Sequence, residues 1–177
     1  MIDLQSPEWH SILANPGGTG ALTAQLLRQV IEGDLNAYDE LYHQVCHQFT
    51  VGVVAYAAVP HLVQIARHAD PQHRIRALSI VGTVAAALGA YPRSAALLPE
   101  QWRVEYLAAN AEALVLAAES LRQSGLDMSD AQELIATVAA LHGHTDLAML
   151  LFLQGGSPEF SCPECGEPIT WKEPADS

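Results

Sequence analysis

Lysine is almost missing from this chain. Lys172 is the only one, and with seven arginines the cations total eight against twenty acidic residues, a formal charge of −12 over 177 residues. A general nucleic-acid binder needs clustered cations to displace counterions from phosphates, so that class is disfavoured at the outset. Cysteine is scarce, three residues in all, which excludes a disulfide scaffold. Charged residues supply only 16% while half of the chain is apolar, a balance that excludes a disordered polymer. Long hydrophobic runs are missing too. Val51 to Ala66 is broken by Pro60 and His61, Leu147 to Leu153 is shorter still, and neither is long enough to span a bilayer. The opening Met1-Ile2-Asp3-Leu4 lacks the basic start and apolar stretch of a secretion signal. A cytoplasmic chain with reduced thiols is the expectation, with neither nucleic acid nor membrane as partner.

The dominant period is helical, and no run alternates long enough to read as a strand. Leu22, Leu26 and Val30 form a stripe over 19–32 that stops at Gly33-Asp34. A second helix, capped by Asp34 or Asn36, runs to about Phe49. Pro60 predicts a kink, or two abutting helices, within 51–69. Asp70-Pro71 caps and opens the next helix, with Ile75, Leu78, Val81, Ala85 and Leu88 inward and Gly89 as its end. Pro99 opens the longest helix, whose expected buried stripe is Val104, Leu107, Ala111, Leu114, Ala118 and Leu121. Ser129 and Gln132 fit a capping box for a helix over Leu134, Ile135, Val138 and Leu141. A short helix over 145–154 follows Gly143. After Gly155-Gly156 the chain turns Pro-rich and aperiodic, so 1–156 reads as a helical domain and 157–177 as a tail. The predicted fold is all-α, with antiparallel helical pairs stacked as a short α-solenoid and an irregular C-terminal tail.

Pro60-His61-Leu62, Asp70, Arg74 and Arg76-Ala77-Leu78 resemble one HEAT-type (armadillo-like) repeat. The wider set Trp9, Gly20-Ala21, Leu26-Leu27, Gly33-Asp34, Leu41, His47-Gln48, Tyr56-Ala57 and Val59-Pro60 is similar to small bacterial HEAT-like proteins. Some members of that group sit beside secreted polymorphic toxins and are suspected immunity proteins. The likeness covers about residues 9–90, and Phe49 departs from it where relatives often carry Gly. It implies a binding scaffold with Asp70 paired to Arg76 across the turn, and it carries no catalytic residue.

Cys162-Pro163-Glu164-Cys165-Gly166 is the sharpest chemical motif. Two thiolates at this spacing suit one tetrahedral metal, and the following Gly suits the knuckle turn. It resembles half of a zinc ribbon, and no second Cys pair completes it. Zinc would take its other ligands from His142 and His144, from Cys46 or another His, or from a second chain. The bland alternative is a remnant knuckle. His43 and His47 share a helical face beside Cys46, yet Gln44 stands where a zinc protease needs Glu, so a structural role is favoured. Asn15-Pro16-Gly17-Gly18-Thr19-Gly20 imitates a phosphate cradle without its Lys and reads as a plain loop. Asp127, Asp130 and Glu133 read as charges complementing a helix dipole. Glu105, Glu112 and Glu119 recur every seven residues and make one acidic line. That line is either a solvated face or a surface for a basic partner.

The leading expectation is a non-enzymatic protein-interaction module of immunity type, binding a basic protein through an acidic face, with self-association covering apolar flanks. The alternative is a zinc-binding protein or metal-dependent enzyme built on Cys162, Cys165 and nearby His. Base-excision chemistry on such a scaffold would need a basic groove, which the charge opposes.

Overall fold

The computed structural model describes residues 1–14, 18–90 and 99–153, with backbone pairing at 160–161 and 168–169. Among these the chain is all-α. A 3-10 turn over Pro7–Ser11 leads into seven helices: α1 (Gly20–Ile31), α2 (Ala37–Val45), α3 (Val54–His68), α4 (Pro71–Ala90), α5 (Glu100–Ser120), α6 (Met128–Leu141) and α7 (Thr145–Leu153). Two-residue strands supplement them. β1 (Cys46–His47) pairs antiparallel with β2 (Thr50–Val51), and β3 (Phe160–Ser161) with β4 (Pro168–Ile169). No helix of the described residues is long and apolar enough to cross a membrane.

Consecutive helices pair as α1–α2, α3–α4 and α6–α7. Only Ala69 and Asp70 separate α3 from α4, and a link that short forces the two to run antiparallel. Alternate helices also touch, α1 with α3 and α3 with α5 on one side, α2 with α4 and α4 with α6 on the other. Stacked pairs therefore make two helical layers. Between them lie Trp9, Leu27, Tyr38, Leu41, Leu62, Leu78 and Leu134, and alanine is the commonest buried residue around them.

Local chemistry accounts for most boundaries. Gly33, Gly125 and Gly143 take the left-handed φ of +99°, +89° and +81° that ends or separates helices at little steric cost. The Asp70 carboxylate accepts from His73 N at 3.1 Å and caps α4. A single helix, α3, carries Pro60 within it.

Several expectations are corrected. Asp127, not Ser129, caps α6, accepting from Asp130 N at 2.8 Å. Gly89 does not end α4, which runs through it to Ala90. Its role is packing, because a Cβ there would meet Thr145 Oγ1 at 2.4 Å. The segment after Val45 is a hairpin and not more helix, and Arg76 reaches Asp39 at 3.2 Å instead of pairing with Asp70. The stripe assigned to α5 is turned about its axis. Tyr106, Ala109, Ala113, Ala117 and Ser120 face the core, while Val104, Leu107 and Val115 are 56%, 65% and 55% exposed. Because α5 is apolar on two opposite faces, periodicity alone selected the wrong one.

Candidate functional site

Among the described residues the metal candidates do not converge. His142 ends α6 and His144 precedes α7, both exposed on either side of Gly143. Cys162 and Cys165 lie outside the described residues, so their ligation is untouched by the geometry here. The backbone pairs Phe160–Ile169 and Ser161–Pro168 bracket that Cys segment in the chain. At the other cluster, the His43 and His47 ring centroids lie 5.5 Å apart with the planes tilted by 56°. Cys46 beside them is fully buried, and burial pushes its thiol up to about 11. A thiol held protonated in apolar surroundings is inert as nucleophile and ligand. No group of three or more His, Cys, Asp or Glu placed to hold a metal occurs among the described residues.

Of the glycine-rich segment, residues 15–17 lie outside the described residues, and backbone pairing joins its two flanks. Leu13 bridges Thr19, Ala14 N donates to Gly18 O at 3.1 Å, and Gly20 N donates to Ile12 O at 2.8 Å. The amides of Ala14 and Gly20 are thus committed to carbonyls. Gly20 is required there, since a Cβ would lie 2.7 Å from the Trp9 carbonyl oxygen.

The acidic line of α5 proves to be mainly a clamp. Glu105 binds the N-terminal ammonium and accepts from Gln101 Nε2 at 3.0 Å, and that ammonium contact above all holds its carboxyl below the usual range. Glu112 takes both Arg67 guanidinium donors from α3 in a bidentate pair. Glu119 is exposed, without a side-chain partner among the described residues. The seven-residue spacing thus places two of the three where they tie α5 to its neighbours.

Histidines converge in a groove of about 510 Å³ at the α3–α4 turn, lined by Val30, Ile65, His61, His68, Asp70 and His73. Its polar groups are mostly engaged in structure. His61 Nε2 donates to Ile2 O at 2.9 Å, and its ring lies against Trp9. Tyr38 Oη donates to His73 O at 3.0 Å, and Asp70 is the α4 cap.

A larger groove, about 700 Å³, opens between the start of α4 and the start of α6. Asp127, Asp130 and Glu133 line it together, with Arg76 at its side. Their spacing of three residues puts them along one face of the first two turns of α6. Burial, and then the charge of Asp127, raises the Asp130 carboxyl. Glu133 is raised first by burial and next by Asp130, against the lowering effect of a Ser79 hydrogen bond. These carboxylates repel one another in a partly dry groove, and Arg76 shares its charge with Asp39 on α2. A guanidinium or ammonium group entering such an arrangement would relieve the repulsion. Sequence reading took the three as ordinary first-turn charges. The i, i+3, i+6 spacing carried the signal, and assigning the cap to Ser129 obscured it.

No protein-family model matches the chain, and neither a curated protein nor a solved structure matches it.

Proposed function

We propose that this chain is a non-enzymatic protein-interaction module that binds a basic partner through its acidic surface, with the groove of Asp127, Asp130 and Glu133 at the centre. The observation that carries this reading is where the cations are spent. Arg67, Arg76 and Arg103 are paired with Glu112, Asp39 and Glu100, while Arg28 and Arg74 donate to the carbonyls of Leu4 and Ala66. The carbonyl contacts leave a guanidinium its full charge, so among the described arginines Arg28, Arg74 and Arg122 remain to offset a larger surplus of carboxylates. The outward field is negative, which steers a cationic protein to the surface and makes association fast and salt-sensitive. The stacked helices supply the scaffold, and the resemblance to bacterial HEAT-like proteins suits an immunity-type role with a basic toxin as target.

The test is co-purification of the tagged chain from its native cells at rising salt, alongside a variant carrying Asp127→Asn, Asp130→Asn and Glu133→Gln. A basic partner that elutes as salt rises, and that the variant fails to retain, is the expected result. Retention indifferent to both salt and substitution would overturn the reading.

A second reading, zinc binding at the tail, rests on Cys162 and Cys165 with the β3–β4 pairing on either side of them. Metal analysis of the purified chain and of a Cys162→Ser variant decides it. Equal zinc content in the two would remove it.

A further inference from the structure

Among the described residues, the outer face of α5 carries a stripe with no neighbour. Val104, Leu107 and Val115 are 56%, 65% and 55% exposed, and Ala108 and Ala111 between them are exposed as well. They fall at the helical spacing of one face, on the side opposite the buried Tyr106, Ala109, Ala113 and Ala117. Solvent gains nothing from an ordered apolar row of this length. Such a row on a folded domain marks an interaction surface.

The occupant is written in the symmetry of the stripe. Ala111 lies at its centre. Leu107 and Val115 stand four residues to either side, Ala108 and Leu114 three, and Val104 and Ala118 seven. At the ends, Glu100 lies eleven residues before Ala111 and Arg122 eleven residues after. Both end residues are exposed; Glu100 is the first residue of α5, and Arg122 lies in the turn just past its last, with its N–H donated to Glu119 O at 3.1 Å. An antiparallel copy of α5 centred on Ala111 sets Leu107 against Val115, Val104 against Ala118, Ala108 against Leu114 and Glu100 against Arg122. Leu107 packs on Val115, Val104 and Leu114 each meet an alanine, Ala111 at the centre allows close approach of the axes, and opposite charges close both ends.

We infer that α5 is a homodimer interface, in which two copies of this chain pair antiparallel about a two-fold axis through Ala111. A two-fold contact is self-complementary, and the opposite charges of Glu100 and Arg122 at equal distances from Ala111 meet that condition at both ends. Arg103, which pairs with Glu100 in the single chain, yields it to Arg122 of the second copy or shares it. The interface uses a surface distinct from the acidic groove and does not depend on the basic-partner reading.

Sedimentation equilibrium of the full chain over a wide concentration range tests this. A reversible monomer–dimer equilibrium is expected, and Leu107→Glu shifts it to monomer with unchanged far-UV circular dichroism. Glu100→Arg and Arg122→Glu each weaken the dimer about tenfold, because the two-fold repeats every charge clash. The double exchange restores it. That rescue cannot come from misfolding. Ala111→Cys with Cys162 and Cys165 replaced by Ser forms an intermolecular disulfide across the axis. A wild-type chain that stays monomeric, a dimer untouched by Leu107→Glu, or a double exchange no tighter than the single ones would each overturn the assignment.

Discussion

Gly82 of α4 faces Thr137 of α6 so closely that a Cβ on the glycine would lie 2.4 Å from Thr137 Oγ1 and 2.7 Å from its Cα. Thr137 in turn donates that hydroxyl to Leu78 O at 3.2 Å and to Glu133 O at 2.9 Å. The helix with the Glu133 carboxylate is thus set against α4 by contact with bare backbone. Alanine at position 82 would gain about 1 kcal/mol of helix propensity. It would also force α4 and α6 apart, at a cost of about 1–3 kcal/mol. The clash wins, since one of the obstructing atoms is backbone.

Gly82→Ala is therefore expected to lower the urea midpoint, and Thr137→Ala is not expected to rescue it. At Gly89 every obstructing atom belongs to the Thr145 side chain. There Gly89→Ala should destabilise alone and recover when combined with Thr145→Ala. Equal behaviour of the two pairs would contradict this account.

Gln48 and Phe49 both hold positive φ, 49° and 57°, in the turn joining β1 to β2. Left-handed backbone costs a side-chain-bearing residue about 1–2 kcal/mol. Gln48 is exposed and forfeits no packing, so Gln48→Gly should raise the thermal midpoint, by about 1 kcal/mol in stability. Phe49 is packed on the core, so Phe49→Gly trades that contact against the same relief and gains less. A lower midpoint for Gln48→Gly would refute the strain.

His61 is buried, and that burial is the main cause that lowers its pKa from 6.5. The unfolded chain then takes up the proton first, so stability falls as pH drops below about 6.5. Urea midpoints measured from pH 7.5 to 5 should decline for wild type. His61→Gln, which keeps a donor for Ile2 O, should decline less. Parallel curves would show that His61 titrates alike in both states.

Glu133 behaves with the opposite sign. Its carboxyl is raised above 4.5 by burial and by Asp130. The folded chain holds the proton to higher pH, so ionisation costs stability as pH rises past about 4.5. Glu133→Gln should unfold at higher temperature than wild type at pH 7, with the advantage gone near pH 4. A variant less stable at pH 7 would show that the Ser79 hydrogen bond outweighs the crowding of charge.

The helices were legible because their period, caps and glycines are local signals. Asp70 and Gly33 do in the fold what their chemistry predicts. The facing of α5 was not legible, because Val104 and Ala109 are equally apolar and only the neighbouring helices select between them. Gly89 misled for a related reason. A glycine that ends a helix and one that admits a neighbour look alike until the neighbour, Thr145, is placed. For the site, charge at α6 was visible, but the groove was not. It exists only because α4 begins beside α6. Glu105 and Glu112 were visible as a line, and their partners, far off in sequence, were not.

The alanine-rich interior has a consequence for how this protein tolerates change. Where the inward side chains are already Ala109, Ala113, Ala117, Ala136 and Ala140, truncation has little left to remove. Damage in that half of the molecule comes from enlargement, and a single added methyl does more harm there than a lost one. Only glycine and serine would fit these positions without displacing a neighbour, so the spacing between the layers is held by the smallness of what fills it.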